Sequence, residues 1–438
     1  CMKAGRKPGE ERGMTMVKAS NYWKWVSKYS FLCLTTIILI LLFTNSRLFA
    51  EEAGYSEKTG ELKILTSFPP EFYTPFLETY RQRYPDLQLQ ILNKKTTAAI
   101  AEILRGNQRE FDIFWSSSPD AFALLKQSGK LVRTGYVPNY PPLGTQQHFY
   151  GDSEGYFFHF AFSGVGYMWN RAVLKKLEIS IPESWQDLAH PRFYGQLAMS
   201  TPSRSGTTHL IVESLLQEMG WEQGWRFLLQ LSSNMETITA RSFSVPDGVA
   251  SGRFGAGLVI DFLATAKIDK GGEVGFHYGD PVFLFPAGIG VPQNSKNRAE
   301  AIAFIDFVLS TEGQRLLLQP FPNRLPVSEA IFSGSSARLH PLMDYIRRGV
   351  TRSYDTELSR KRYLLVNNLF DQLITYRLLE RRKIWKKFLT MEKIHGRDQM
   401  AKTGTRERMF QLLCEVPVSG QKSLDESLND LFVATSST

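Results

Sequence analysis

The sequence predicts an α/β protein of two lobes with a basic, α-helical C-terminal extension. Three observations carry this expectation. Strand-like and helix-like segments alternate from the start of the body, two apolar, glycine-marked runs are suited to crossing between lobes, and the basic residues collect after the second of them. Alternating β and α elements are the pattern of a parallel sheet covered by helices.

Glu61 to Ser67 (ELKILTS) predicts a strand, and Pro70 to Tyr84 a helix with Phe72, Phe76, Leu77 and Tyr80 at helical spacing. Leu87 to Leu92 alternates like a second strand, Ala98 to Leu104 is helical, and Phe111 to Trp115 (FDIFW) gives a third strand. Phe162 to Tyr167 (FSGVGY) predicts a crossing, so a second lobe is expected over 164–280, between first-lobe segments 51–163 and 281–337. Within it, Pro182-Glu183-Ser184-Trp185 opens a helix, Leu210 to Met219 and Pro246 to Ser251 predict two more, and Gly255 to Asp261 reads as a buried strand. Phe283 to Pro292 predicts the return crossing, ahead of helices at Ala299 to Leu309 and from Thr311. Two crossings imply a hinge, with a ligand trapped when the lobes close.

Phe31 to Phe43 (FLCLTTIILILLF) follows Lys18, Lys24 and Lys28 and precedes a polar stretch ending at Ala50, the order of a secretory signal peptide. A thirteen-residue run rises only ~20 Å as a helix, short of a ~30 Å hydrocarbon core. Cleavage after Ala50 and a periplasmic location are therefore expected, with residues 1–50 outside the fold. Cys1 and Cys33 fall in that segment; Cys414 alone in the body allows neither an intramolecular disulfide nor a cysteine metal cluster.

Charge is unevenly spread. Residues 51–337 carry 25 Lys and Arg against 29 Asp and Glu, whereas residues 338–408 carry 18 against 8. In this 338–438 extension, Leu364, Leu365, Leu369, Leu373, Tyr376, Leu379, Ile384, Trp385, Phe388 and Leu389 recur at helical spacing, with Arg377, Arg381, Arg382, Lys386 and Lys387 between them. A solvated helix packing its apolar stripe on the body is the plainer reading; a docking surface for a partner protein or anionic lipid is the sharper one. Export argues against nucleic acid as a partner.

Ligands of open α/β sheets sit at the carboxyl ends of strands. Thr66 and Ser67 follow the first strand, and Ser116, Ser117 and Ser118 the third, ahead of a helix start at Pro119 and Asp120. Ser163 lies in the predicted crossing. The strongest signal is Met199 to His209, with Ser203, Arg204, Ser205, Gly206, Thr207 and Thr208 opening a long helix. Arg204 can fork two hydrogen bonds to a phosphate or carboxylate, Gly206 lets the backbone approach, and the free N–H groups of a helix start favour anions. A capped helix start with a solvated arginine is the bland alternative. Arg241 and Ser242 form a second such cluster, and Asp261, at a strand end, could accept from a ligand hydroxyl, orient Arg204 or Arg241, or cap the next helix. Ser205 lacks the nucleophile-elbow glycines and there is no H-E-x-x-H, so neither an enzyme nor a metal or other cofactor is expected.

The order of elements, the serines after the third strand and the STEGQ segment from Ser310 to Gln314 resemble the type 2 periplasmic binding proteins, of venus-flytrap fold, that serve iron, phosphonate and sugar-phosphate importers. One branch is closer. MSTPSRSGTTHLIVESLLQ, Trp221 with Trp225, TITARSFSV, GLVID, FDQLITYRL and Glu415-Val416-Pro417-Val418 are similar to the phosphoglycerate transport regulatory protein family. That resemblance implies 2- or 3-phosphoglycerate or phosphoenolpyruvate as ligand, and action with a membrane sensor histidine kinase to induce uptake, the protein being held at the inner membrane through that partner. The extension is then the candidate contact, and deletion of residues 350–438 is expected to abolish signalling while leaving ligand affinity intact. An importer receptor for a sugar phosphate or phosphonate would use the same site. A ferric-ion binder would need a tyrosine pair where Tyr278 stands alone.

Overall fold

The computed structural model describes residues 60–139, 151–268, 273–332, 340–425 and 427. The expected signal segment lies outside the described residues. The first lobe opens as β1 (Gly60–Thr66), α1 (Pro70–Arg83), β2 (Leu87–Asn93), α2 (Thr96–Leu104), β3 (Ile113–Ser116) and α3 (Pro119–Gln127). β1 pairs in parallel with both β2 and β3. Leu62, Ile64 and Leu65 are fully buried, as expected for a central strand covered on both faces. The helix spacing of the sequence is met in α1, whose Phe72, Phe76, Leu77 and Tyr80 are its buried face.

β4 (Phe157–Asn170) is one long strand shared by two sheets. The second lobe adds β5 (Leu197–Ser200), α4 (Gly206–Met219), α5 (Trp221–Ser233), β6 (Met235–Thr239), α6 (Ser244–Ala250), β7 (Ala256–Ile260), α7 (Asp261–Ile268) and β8 (Val274–Tyr278). β9 (Val282–Gly290), α8 (Arg298–Leu309) and α9 (Thr311–Leu316) follow in the first lobe. From Phe157 to Gly164, β4 pairs antiparallel with β9; from Val165 to Trp169 it pairs with β7. The strand therefore changes sheets at the predicted glycine-marked run. Gly164 is required there because a Cβ would lie 2.6 Å from the Tyr278 ring.

The return differs from expectation. Phe283 to Val291 does not make the crossing: β8 belongs to the second sheet and β9 wholly to the first, so Gly279, Asp280 and Pro281 between them make it. An apolar, glycine-bearing strand looks the same whether it ends in a crossing or begins after one.

The extension is built into the body. Thr59–Thr438 forms one compact unit. β10 (Leu325–Pro326) and β11 (Thr351–Ser353) join the first sheet, and α10 (Thr356–Phe370) then packs against both α3 of the first lobe and α4 of the second. Leu365, Val366, Leu369 and Phe370 enter the second-lobe core, while Tyr363 joins a first-lobe cluster with Ala121, Phe122 and Leu125. A π-helical turn, Asp371–Thr375, separates α10 from α11 (Leu378–His395). Within α11, Trp385 and Phe388 face inward while Leu379 and Ile384, at other angles of the same helix, face solvent, as does Tyr376 just before it. The single stripe expected from spacing is thus two stripes on different faces.

Candidate functional site

A small polar cleft lies where the lobes meet, lined by Ser67, Lys95, Thr96 and Ser117 from the first and by Arg204, Ser205, Gly206, Thr207, Arg241, Ser242 and Phe243 from the second. Three helices start at it. α2 opens at Thr96, α3 two residues after Ser117, and α4 at Gly206. Each helix start brings the positive end of its helix dipole, about half a charge, toward the cleft, and α2 has no side-chain cap on its first N–H groups, so their convergence favours an anion even before side chains are counted. Lys95, Arg204 and Arg241 add three cationic side chains.

The local sequence explains the arrangement. Ser205 caps α4 by accepting from the Thr208 N–H at 3.2 Å. The Gly206 N–H donates across the lobe boundary to Thr96 Oγ1 at 3.2 Å, and Thr97 Oγ1 donates to the Ser203 carbonyl at 2.7 Å. Gly206 is required by this approach: a Cβ there would meet Ser118 Cβ at 2.8 Å and Ser118 Oγ at 3.1 Å. Arg241 reaches over the same boundary to Asn93 Oδ1 and stacks on Phe243, its guanidinium 4.9 Å from the ring centre. Burial pushes the Arg241 guanidinium below its ordinary value. Arg204 is exposed at the mouth. Gly206→Ala is expected to keep the lobes from closing fully and to weaken anion binding about tenfold or more by calorimetry; an unchanged dissociation constant would show that closure does not bring these two surfaces together.

Eight of the fifteen predicted site residues line the cleft: Ser67, Ser117, Arg204, Ser205, Gly206, Thr207, Arg241 and Ser242. The others serve the scaffold around it. Thr66 Oγ1 donates to the Trp115 carbonyl at 2.8 Å, joining β1 to β3. Ser116 Oγ is 2.9 Å from Ser67 Oγ and accepts from the Ser118 N–H, so it orients the lining from behind. Ser118 and Ser163 are fully buried and their hydroxyls have no hydrogen-bond partner among the described residues. Ser203 Oγ pairs with Thr201 Oγ1, and Thr208 Oγ1 with Ser200 Oγ.

Asp261 neither lines the cleft nor pairs with Arg204 or Arg241, and it serves the start of the next helix instead. Its buried carboxylate accepts from the Gly164 N–H at 2.8 Å, the Phe262 N–H at 2.7 Å and the Tyr278 hydroxyl at 3.1 Å, pinning the crossing strand. Burial raises its pKa. Lys95, Thr96 and Phe243 are cleft residues that sequence reasoning missed. Lys95 and Thr96 follow β2 at the same sheet edge as the other strand ends, so the rule applied to β1 and β3 would have found them.

Behind the cleft, a buried polar cluster joins α3, α4 and α10. Asp120 accepts from the Tyr354 hydroxyl at 3.1 Å; His209 is 2.8 Å from Asn367 Oδ1 and 3.0 Å from Ser359 Oγ. Burial pushes Asp120 up to about 7 and His209 down to about 3. His209 is therefore neutral at the back of the anion site, and Asp120 is held well above the usual carboxylate range. Arg362 of α10 makes a bidentate pair with Glu213 of α4, its Nη2 at 2.7 Å and Nε at 3.1 Å. Among the described residues no group of three His, Cys, Asp or Glu could hold a metal ion, and no helix is long and apolar enough to cross a membrane.

Two lobes joined by a shared strand, closing over a cleft of converging helix starts, define a solute-binding protein. The chain belongs to the bacterial extracellular solute-binding protein family, whose model matches residues 110–337. Within it, the chain is similar to the phosphoglycerate transport regulatory protein PgtC of Salmonella typhimurium, 31% identical over 369 residues that cover 84% of this chain and 88% of that one. It is 26% identical over 242 residues to the Fe(3+)-binding periplasmic protein of Serratia marcescens, covering 52% of this chain and 70% of the other. The solved periplasmic binding protein AfuA of Actinobacillus pleuropneumoniae, with exogenous fructose-6-phosphate bound, shares the fold at TM-score 0.60 and 18% identity, over 72% of this chain and 99% of that one.

Proposed function

We propose that this chain is a periplasmic receptor, not an enzyme, for a small phosphorylated carboxylate of the phosphoglycerate type, and that it reports occupancy to a membrane sensor kinase. The observation that carries the reading is the cleft itself, with three helix starts, Lys95, Arg204 and Arg241 facing one polar space. A phosphate monoester carries a charge of about −1.5 to −2 at pH 7 and a carboxylate adds one more, close to the three formal charges these side chains supply. Serine and threonine hydroxyls fill the remaining directions and can bond the ester and hydroxyl oxygens. The similarity to a phosphoglycerate transport regulatory protein, and a fold shared with a protein solved with a sugar phosphate, agree with a phosphate ester as the ligand.

The cleft has a volume of about 30 Å³, enough for a water or two. Ligand entry therefore requires the lobes to part about β4 and the residues from Gly279 to Pro281. Closure on the ligand stabilises the shut state by the difference in affinity between the two arrangements, the quantity available for a signal. Against a ferric ligand, the lone Tyr278 is turned away to Asp261 and is 5% exposed.

Calorimetric titration of residues 59–438 with 2-phosphoglycerate, 3-phosphoglycerate, phosphoenolpyruvate, glucose 6-phosphate, a phosphonate and Fe(III) tests the ligand class. The three-carbon phosphorylated acids are expected to bind most tightly. Arg204→Ala and Arg241→Ala should each remove a charge-assisted contact of roughly 1.5–3 kcal/mol, about ten- to a hundredfold in affinity. Tight binding of Fe(III) alone, or arginine variants with unchanged affinity, would overturn the assignment.

A further inference from the structure

We propose that the outward face of α11 is a docking surface for an anionic lipid bilayer, so that the protein touches the membrane directly as well as through any protein partner. The π turn that ends α10 sets α11 with Trp385 and Phe388 packed inward against Tyr194, Leu389 and Phe410. At 100° per residue the opposite face carries Leu379 and Ile394, which are 67% and 69% exposed. Lys383 and Lys387 stand between them on that face, and Lys386 and Lys393 flank it. The helix makes its ion pairs elsewhere, Arg382 with Glu236 and Glu392 with Arg406, leaving these four lysines without an acidic partner among the described residues. Glu380 is the one acid of the same face.

Charge and spacing together select the occupant. A hydrophobic protein groove that received a helix would ask for a continuous apolar stripe at i, i+3, i+4 and i+7. Here Lys383 and Lys387 interrupt the run from Leu379 to Ile394, so no such stripe exists. A bilayer surface accepts alternation: the aliphatic stems of lysine lie along the acyl boundary while the ammonium groups meet phosphates, and the isolated Leu379 and Ile394 side chains insert between headgroups. Each lysine near an anionic surface contributes attraction that salt screens away. The helix is ~27 Å long, and a side-on position would align its face with the membrane plane.

The test is flotation of residues 59–438 with vesicles of pure phosphatidylcholine and with vesicles holding about 30% phosphatidylglycerol, at low and at roughly 0.5 M salt. Binding is expected to the anionic vesicles alone, and to be lost at high salt. Lys383→Glu with Lys387→Glu, and separately Leu379→Ser with Ile394→Ser, should each weaken it at least tenfold while the melting temperature and the affinity for phosphorylated acids stay unchanged. Absence of vesicle binding overturns the proposal, as does binding that neither variant pair weakens, or a salt-sensitive complex with a membrane protein in detergent and no affinity for lipid. Ligand titrations read the cleft separately, so failure here leaves the receptor assignment standing and the reverse also holds.

Discussion

A chain ending at residue 350 is expected to fail to fold. Tyr363, Leu365, Val366, Leu369 and Phe370 are each no more than 9% exposed, and they fill the cores of both lobes. Burial of side chains of this size stabilises by about 1.5–3 kcal/mol each. Their sum is comparable with the whole ~5–15 kcal/mol by which a domain is held folded. Truncation would also uncover Asp120, His209 and Glu213, all fully buried under α10. Soluble yield, circular dichroism and a thermal melt read the outcome. A soluble, cooperatively melting product with normal ligand affinity would restore the simpler expectation, that the extension is an appendage whose loss spares the cleft.

Arg362→Ala is expected to cost about 3–5 kcal/mol in urea denaturation, because it leaves the fully buried Glu213 carboxylate without its counter-ion. The sign of its pH dependence follows from the same burial. Burial holds Glu213 above the usual carboxylate range even with Arg362 present, and removing the guanidinium can only raise it further. A carboxyl whose folded pKa lies above its unfolded value binds more protons when folded, so its stabilising effect is present at low pH and lost as pH rises through the folded value. The deficit of Arg362→Ala should accordingly shrink on acidification. Replacing the pair by Met and Gln should recover much of the loss; a cost below about 1 kcal/mol for Arg362→Ala alone would mean that water reaches this pair.

Much of the body was legible because periodicity and strand ends are local properties. The alternation from Glu61 to Trp115 and the glycines of the first crossing predicted the elements that frame the cleft, and the hydroxyl-rich start of α4 predicted its richest wall. The division of labour among hydroxyls was not legible. A serine that caps, one that braces a neighbour and one that faces a ligand have the same sequence signature, and Thr66, Ser116 and Ser117 separate only once β1 and β3 are paired. Asp261 was hidden for a related reason: its partners, Gly164 and Tyr278, are 97 and 17 residues away. The π turn was invisible because one turn of altered pitch changes no residue type, yet it sets the direction in which α11 leaves α10.

The placement of α10 across α3 and α4 makes the extension a third party to every opening and closing of the lobes. Whatever holds that helix more firmly in one lobe arrangement than in the other must, by reciprocity, alter the affinity for the anion by the same factor that the anion alters its own. The cleft and the far end of the chain are thereby two terms of one equilibrium, and a measurement at either end reports on the other.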